Sequence, residues 1–311
     1  MSPLTILTAT MPVYLTMLIG AFVRKIGLLP KEADAGIMSL CVKVLTPCLA
    51  LERIVGNPAL RDPMQVLRAA SVGFGLVLIG ILGTYALAPL IGLKRGEGAR
   101  TFALATGLQN YGFVAIPVIE ALFGKQLIGV LFTYTLGVEL ALWVVGVGLL
   151  TGMAKAPWKH AINPPVIGII LALIIHYSGL GVHMPVMLHN LFGQLGACAI
   201  PLSVVLIGAS ISDLVGTERI RWNVAIASPI LRLFVLPISF LICARWLPLT
   251  DELKRILCVQ AAMPSAVFTI VVARMYGGHA PTAVLVVLST TLVSIFTVPW
   301  AIDFGLKFVG L

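Results

Sequence analysis

The sequence predicts an all-α membrane protein with ten transmembrane helices in two inverted repeats of five. Three observations predict this fold: the composition, the spacing of the apolar segments, and one interrupted segment in each half of the chain. Of the 311 residues, 59% are hydrophobic and 11% are charged, whereas soluble domains carry about 25% charged residues. In a membrane protein, the net charge of +9 indicates basic loops at the lipid bilayer rather than a nucleic-acid partner.

Ten apolar segments are long enough to be membrane helices, because a span takes about 20 residues. The first segment has no cleavage pattern of a signal peptide and is therefore expected to stay as a span. No stretch between the segments is long enough for a separate soluble domain. The predicted spans are 4–23, 35–52, 67–93, 101–122, 127–152, 164–181, 187–212, 222–247, 255–276 and 282–306.

The basic residues of the loops predict the orientation. Eleven Lys and Arg residues, including Lys155 and Lys159, are assigned to one side of the membrane and eight to the other. Because basic loops favour the cytoplasm, the loop around residues 151–162 is expected to be cytoplasmic and both termini are expected outside. The predicted location is the inner (plasma) membrane of the cell, with several passes through it.

Motifs of enzymes and metal sites do not occur in the sequence. The five cysteines lie in apolar segments without C-x-x-C spacing, and the histidines form no metal-ligand pattern. No phosphate-binding loop or nucleophile motif is present. The chain is therefore predicted not to be an enzyme and to need no cofactor.

Landmarks recur at a constant distance in the two halves of the chain. PVYLTMLIGAFVRKIGLL, which starts at residue 12, aligns with PVIGIILALIIHYSGLGV, which starts at residue 165. Pro47 aligns with Pro201, and Arg100 with Arg255, so the offsets are 153, 154 and 155 residues. Each half then holds five helices, and an odd number of spans inverts the second half relative to the first.

Each half also contains a hydrophobic segment that Gly and Pro interrupt: ATGLQNYGFVAIPVIEALFG (Ala105 to Gly124) and VQAAMPSAVFTIVVARMYGG (Val259 to Gly278). A broken helix leaves N–H and C=O groups free, which lipid does not tolerate unless protein, water or a solute covers them. Paired breaks in a repeated fold therefore indicate a transport site. The expected causes are Pro117, which would free the Phe113 carbonyl, and Pro264.

The candidate substrate-binding residues lie at these two interruptions. Each half-helix that starts at a break offers free N–H groups and a positive dipole end to a carboxylate, and Gly lets the backbone come close to a ligand. In the alternative interpretation, the two prolines only kink packed helices. The candidates are Gln109, Asn110, Tyr111, Gly112, Pro117, Pro264, Ser265 and Phe268.

Charged residues inside the spans are candidates for coupling or for substrate contact. Glu139 lies at least two turns from either end of its span, where acidic residues usually face a cavity or a partner. It is expected either to carry a coupling proton or to pair with Lys43 or Arg232. Lys43, in mid-span, is a candidate for facing an anionic substrate. The roles of Arg232 and Glu120 stay open.

Five segments resemble the auxin efflux carrier family, which includes plant PIN proteins and bacterial malonate-type permeases. LQNYGFVAIPVIEALFG is similar to the family's fourth-span motif, and QAAMPSAVFTIVVARMYGG to its ninth-span motif. NPPVIGIILAL, IPLSVVLIGASI and VLSTTLVSIFTVPW resemble its spans six, seven and ten. The resemblance covers essentially the whole chain. Phe268 departs from it, because many bacterial members carry a polar residue at this position.

The resemblance implies a scaffold formed by residues 1–65 and 156–220 and a transport domain formed by residues 66–155 and 221–311. Spans four and nine would cross at their breaks, and the transport domain would move against the scaffold like an elevator. The family's substrates are small organic anions such as auxin or malonate. The scaffold helices would also offer an apolar face for a homodimer.

The predicted function is therefore a secondary transporter of a small organic anion, either a mono- or a dicarboxylate. Import, export, proton coupling, sodium coupling and uniport all stay open. One alternative is a bile-acid-type sodium symporter, which sodium dependence of uptake would distinguish. Another is a membrane receptor that does not transport its ligand, although such a protein usually carries a cytoplasmic signalling domain, and the longest loops of this sequence have only about a dozen residues.

Overall fold

The computed structural model describes residues 2–94, 98–152, 161–214 and 220–311. The regular elements in these ranges are helices, and extended backbone pairs at one isolated bridge, between Gln109 and Ser265. Seven helical segments within the described ranges are long and apolar enough to cross a membrane. The prediction of an all-α, multi-pass membrane protein is confirmed at this level.

The helices follow one another with short connections. In chain order they are α1 (Pro3–Lys25), α2 (Glu32–Ile54), α3 (Pro63–Ile91), α4 (Ala99–Gly107), α5 (Ala115–Phe123), α6 (Gln126–Thr151), α7 (Pro164–Tyr177), α8 (Val186–Leu214), α9 (Trp222–Trp246), α10 (Asp251–Ala262), α11 (Phe268–Met275) and α12 (Ala280–Val309). The seven long ones are α1, α2, α3, α6, α8, α9 and α12, and they lie close to seven of the predicted spans. Helix α7 is apolar but shorter.

The starts of four helices follow from local sequence. Ser2, Asp62, Asn163 and Thr250 each precede a helix, and their side chains accept a hydrogen bond from a backbone amide two or three residues further on. This contact satisfies an amide that has no partner at a helix N-terminus. In three of the four cases a proline follows at the first helical position, where its fixed backbone angle suits the helix.

Two segments are broken in the middle. Helix α4 ends at Gly107 and α5 begins at Ala115, while α10 ends at Ala262 and α11 begins at Phe268. The breaks lie where the sequence predicted interruptions, but Pro117 does not cause the first one. Pro117 is the third residue of α5, within the first turn, where amides have no helical partner in any case.

Three of the long helices contain a wide, π-type turn, at Cys41–Leu45 in α2, Leu142–Val147 in α6 and Leu231–Val235 in α9. Turns of this kind frequently occur at functional sites. They insert an extra residue into the helical repeat, so side chains beyond them point in directions that a regular period does not predict. Lys43 and Arg232 lie inside two of these turns.

Close helix packing depends on small residues, as is usual in membranes. Helix α3 packs along α6, and α1 packs along α8. At Gly137 in α6 and Gly208 in α8, a Cβ atom would collide with the backbone of the neighbouring helix, at Ala70 and Met17 respectively. Glycine is therefore required at both positions for these helices to lie this close.

Some predictions fall on parts of the chain that the structure does not describe. Arg95, Lys155, Lys159 and Arg219, which contributed to the predicted orientation, lie outside the described residues. The predicted domain boundary between residues 155 and 156 lies outside them as well. The orientation and the division into scaffold and transport domain therefore stay predictions.

Candidate functional site

The two broken segments meet at their breaks, and we call this meeting point, residues 108–110 and 264–266, the crossing. The amide of Asn110 donates to the carbonyl of Pro264 at 2.7 Å, and the amide of Ala266 donates to the carbonyl of Leu108 at 3.1 Å. These are the two hydrogen bonds of a short antiparallel pair. Each break thus satisfies backbone groups that the other break frees, which allows both to be buried without exposing polar backbone.

Side chains satisfy further backbone groups at the crossing. The amide of Ser265 donates to Thr290 Oγ1 in α12 at 3.2 Å. Gln260 Nε2, at the end of α10, donates to the carbonyl of Tyr111 at 3.1 Å. The crossing is therefore fixed by contacts from α10 and α12 as well as by its own backbone pair.

Asn110 is held at the crossing by both its main chain and its side chain. Its Oδ1 accepts a hydrogen bond from the Val114 amide at 3.3 Å, just before α5 begins. Among the described residues its Nδ2 group has no protein partner, and the side chain lines a cavity. Asn110 therefore presents a hydrogen-bond donor to whatever fills that cavity.

The cavity has a volume of about 190 Å³ and lies beside the crossing. Residues of α2, α7 and α8 form one part of its wall, and residues of the two breaks and of α6 form the other. Most of the lining is apolar, and Glu139 is the charged residue in it. Five aromatic side chains line it: Tyr111, Phe113, Phe132, Trp143 and Phe268.

Two helices begin at this cavity. Residues 110–113, immediately before α5, line it, and so do residues 266–268 at the start of α11. The N-terminal end of a helix carries a partial positive charge. A carboxylate in the cavity would thus face the positive ends of two helices together with the side-chain Nδ2 group of Asn110.

Glu139 is fixed by three neutral donors. Its Oε1 accepts from Tyr111 Oη at 2.6 Å, and its Oε2 accepts from Trp143 Nε1 at 3.0 Å and from Asn163 Nδ2 at 2.8 Å. Tyr111 belongs to the first break, Trp143 to α6, and Asn163 immediately precedes α7. The carboxyl group thus connects the crossing to α7 through a hydrogen-bonded chain at the cavity wall.

Of the two alternatives for Glu139, the pairing with Lys43 or Arg232 is not found among the described residues. Lys43 is exposed on the surface of α2 and does not line the cavity, so the prediction that it faces the substrate is corrected too. This side chain lies within the wide turn at Cys41–Leu45, on its exposed side. Arg232 is buried, but its polar contact is with the carbonyl of Gln260 at 3.5 Å.

The structure separates the eight predicted substrate-binding residues into two groups. Four line the cavity: Asn110, Tyr111, Gly112 and Phe268. Four do not: Gln109, Pro117, Pro264 and Ser265. Gln109 instead donates through Nε2 to Tyr134 Oη at 2.8 Å, and Pro264 contributes only its carbonyl to the crossing.

Trp143 and Asn163 are functional candidates that the sequence analysis did not find. Trp143 lies four residues after Glu139, one turn along the same helix, which is a signal that the sequence contained. The local sequence around Asn163 indicates only a helix cap, and its Oδ1 does accept a hydrogen bond from the Val166 amide at 3.1 Å. Its second role, donation to Glu139, follows from the packing of α7 against α6 and has no local signal.

Glu120, whose role was open, forms an ion pair. Arg53 Nη2 in α2 lies 3.0 Å from Glu120 Oε1 in α5, and Arg53 Nε lies 2.6 Å from Glu52 Oε2. The Arg53 side chain is 8% exposed and that of Glu120 27% exposed. The pair joins a helix on one wall of the cavity to a half-helix that starts on the other wall.

A broken-helix crossing beside a cavity in a multi-pass protein is typical of carriers, and comparison with known proteins agrees. The family described as "Membrane transport protein" matches residues 5–154 and 149–302. The chain therefore belongs to this family of membrane transport proteins. That family is the auxin efflux carrier family, so the resemblance seen in the sequence is confirmed.

The similarity to a curated transporter supports the same family assignment. The uncharacterized transporter MJ1031 of Methanocaldococcus jannaschii is 26% identical to this chain over 276 residues. The aligned region covers 85% of this chain and 87% of the relative. The similarity thus extends over nearly the full length of both proteins.

Proposed function

We propose that the protein is a secondary transporter of a small organic anion, bound at the crossing with its carboxylate towards Asn110 and its apolar body among the aromatic side chains. The observation that carries this proposal is the convergence of two helix N-termini and the Asn110 Nδ2 donor on a cavity lined by aromatic side chains. Helix N-termini favour anions, and apolar walls favour a ligand with apolar surface.

The lining favours a monocarboxylate over a dicarboxylate. None of the described residues that line the cavity is Lys or Arg, so a second carboxylate would lose its water without gaining a cationic partner among them. The volume of about 190 Å³ is somewhat larger than the roughly 150 Å³ of an engineered cavity that binds benzene. A ring or a branched chain with one carboxylate fits these dimensions.

Glu139 supplies the coupling in this proposal. An anion beside an ionised Glu139 would be repelled, by roughly 4 kcal/mol for two charges about 4 Å apart at an effective dielectric constant of about 20. A proton on Glu139 removes this repulsion and allows the acid to share a hydrogen bond with the Tyr111 hydroxyl. The loaded carrier would then hold one anion and one proton together.

The proposed architecture is that of ten helices in two inverted repeats, with α4–α5 and α10–α11 as the broken spans. Residues 1–65 and 156–220 would form the scaffold, and residues 66–155 and 221–311 the transport domain. The position of the cavity between α2, α7 and α8 on one side and the crossing on the other supports this division. Movement of the crossing along the scaffold would expose the cavity to each side of the membrane in turn.

The proposed setting is the plasma membrane, with both termini outside and a homodimer formed through the scaffold helices. Labelling of single cysteines in intact cells with an impermeant reagent tests the topology. A cysteine in place of Ser2 should react, whereas one near residue 155 should not. The reverse pattern would overturn the orientation.

A thermal-shift screen of the purified protein tests the proposed substrate class, because a ligand of the folded state raises the Tm. Benzoate and indole-3-acetate represent monocarboxylates with apolar bodies, and malonate represents dicarboxylates. We expect the first two to raise the Tm and to accumulate in proteoliposomes, and malonate to do neither. A shift with malonate alone would reverse the assignment of substrate class, and binding without uptake would favour a receptor.

A further inference from the structure

A second polar cluster lies at the crossing on the side away from the cavity. Successive side chains of an extended segment point in opposite directions, so Gln109 points away from the cavity that Asn110 lines. We call Gln109, Tyr134, Arg232 and Gln260 the rear cluster. All four side chains are fully buried, and none of them lines the cavity.

Arg232 is the charged member of the rear cluster and has no acidic partner in the described part of the chain. None of the ion pairs found there involves it. Its Nε and Nη1 atoms have no hydrogen-bond partner among the described residues, and its guanidinium group lies 5.4 Å from the centre of the Phe240 ring. A buried charge without an acidic partner lowers the stability of the fold unless other groups compensate it.

The group that compensates Arg232 is the C-terminal end of the half-helix α10. Its Nη2 lies 3.5 Å from the carbonyl of Gln260, in the last turn of α10, which ends at Ala262. Helix C-termini carry a partial negative charge, although the Gln260 carbonyl also accepts from the Met263 amide at 3.3 Å. Two more acceptors in the rear cluster, Gln109 Oε1 and Gln260 Oε1, are buried without a partner in the described residues.

The end of α10 and the unpartnered acceptors of the rear cluster favour a positive charge beside them, and Arg232 provides it. In carriers with broken helices, unwound carbonyls and half-helix C-termini coordinate the coupling cation. We propose that Arg232 supplies from within the chain the positive charge that a bound cation would bring to the crossing, so that ligand binding requires no sodium. Arg232 is thus a positioning residue: it stabilises the end of α10, and through Gln260 and the Tyr111 carbonyl it fixes the break that carries Asn110.

The inference rests on the proposed transport function for its consequence, but its first test needs no substrate. Arg232→Ala removes the guanidinium group and leaves a space beside the Gln260 carbonyl. We expect a lower Tm for this variant, and we expect millimolar guanidinium chloride to recover most of the loss while choline chloride recovers none. Arg61→Ala, which removes an exposed arginine, is the matched control and should show neither effect.

A second variant separates charge from packing. Arg232→Met keeps much of the side-chain volume without the charge and should resemble Arg232→Ala in Tm, whereas Arg232→Lys should retain more of the wild-type Tm. Equal stability of Arg232→Met and the wild type would overturn the inference. A folded Arg232→Ala whose Tm responds to neither guanidinium nor sodium would overturn it as well.

The wild-type protein gives a test that does not depend on the folding of any variant. Its Tm, and the Tm shift caused by benzoate or indole-3-acetate, should be the same in sodium chloride and in choline chloride. A ligand-induced shift that appears only with sodium would contradict the inference. Failure of every carboxylate to shift the Tm in either salt would instead count against the proposed function, and the guanidinium result on Arg232→Ala would stand separately.

Discussion

The backbone amide of Asn110 lies 2.7 Å from the carbonyl oxygen of Pro264, so the break in each half of the chain supports the break in the other. Neither segment could stay broken in a membrane alone, because its free backbone groups would be unsatisfied in lipid. The same bond fixes the Asn110 side chain towards the cavity and Gln109 away from it. The geometry of the site therefore depends on both halves of the chain at once.

Glu139→Gln should abolish accumulation driven by a pH gradient and leave counterflow exchange largely intact. The amide oxygen can still accept from Trp143 and Asn163, and its NH₂ group can donate to the Tyr111 hydroxyl oxygen, so the variant imitates the protonated acid. Uptake into proteoliposomes with and without an imposed pH gradient measures this. A folded variant with unchanged pH-driven accumulation would remove Glu139 from the coupling mechanism.

Pro117→Ala should change ligand affinity little and alter the free energy of unfolding by no more than about 1 kcal/mol. From sequence alone, the same substitution is expected to straighten the helix and stop transport. The structure replaces that expectation, because Pro117 lies in the first turn of α5 and the break is formed upstream by the Asn110–Pro264 pair. Titration of the variant with benzoate checks the result. Loss of transport in a folded Pro117→Ala would restore the earlier interpretation.

The Arg53–Glu120 ion pair should stabilise the conformation described here relative to others in the transport cycle. If α2 belongs to the scaffold and α5 to the moving domain, the pair must separate whenever the carrier changes conformation. Arg53→Gln and Glu120→Gln should each change the rate at which Thr135→Cys, in the cavity wall, reacts with a soluble thiol reagent. Because each single variant removes the same ion pair, the double variant should change the labelling rate no more than either single variant does.

The matched control for this experiment is Lys254→Gln, which breaks an ion pair within a single helix, to Asp251 at 3.7 Å. It should leave the labelling rate of Thr135→Cys unchanged. Full additivity of Arg53→Gln and Glu120→Gln would show that the two residues act independently, against the proposed role of the pair.

Hydropathy and breaker residues predicted the seven long helices and the two breaks, for a physical reason. Lipid requires long apolar helices, so the seven long helices lie close to their predicted spans, and Gly and Pro mark the places where a helix can open. The first break was attributed to Pro117 because proline is tolerated at a helix start as readily as at a break. Only the position of the helix start distinguishes the two cases.

The candidate site was predicted in part, and the misses share one cause. Gln109 and Asn110 are adjacent polar residues, and which of them faces the cavity depends on pairing with a segment about 150 residues away. Lys43 was expected to face inwards, but it lies on the exposed side of the wide turn of α2. Asn163 reaches Glu139 because two helices pack together. None of these facts is encoded by the spacing of nearby residues.

The central claim is that the carboxylate of the ligand binds at the crossing, and Asn110→Asp tests it most directly. The variant keeps the Oδ1 acceptor for the Val114 amide, so the crossing should fold as before. It removes the Nδ2 donor and adds a negative charge. Loss of a hydrogen bond to a charged group costs about 1.5–3 kcal/mol, which corresponds to roughly ten- to hundredfold weaker binding, and like-charge repulsion adds to this loss.

The measurement is a titration of purified wild type, Asn110→Asp and Asn110→Ala with the monocarboxylate that gives the largest thermal shift. Asn190→Ala, an exposed position on α8, serves as the control and should bind like the wild type. We predict a ten- to hundredfold loss for Asn110→Ala and a larger loss for Asn110→Asp, with little change in Tm without ligand. Wild-type affinity in both Asn110 variants would contradict the account and place the ligand away from the crossing.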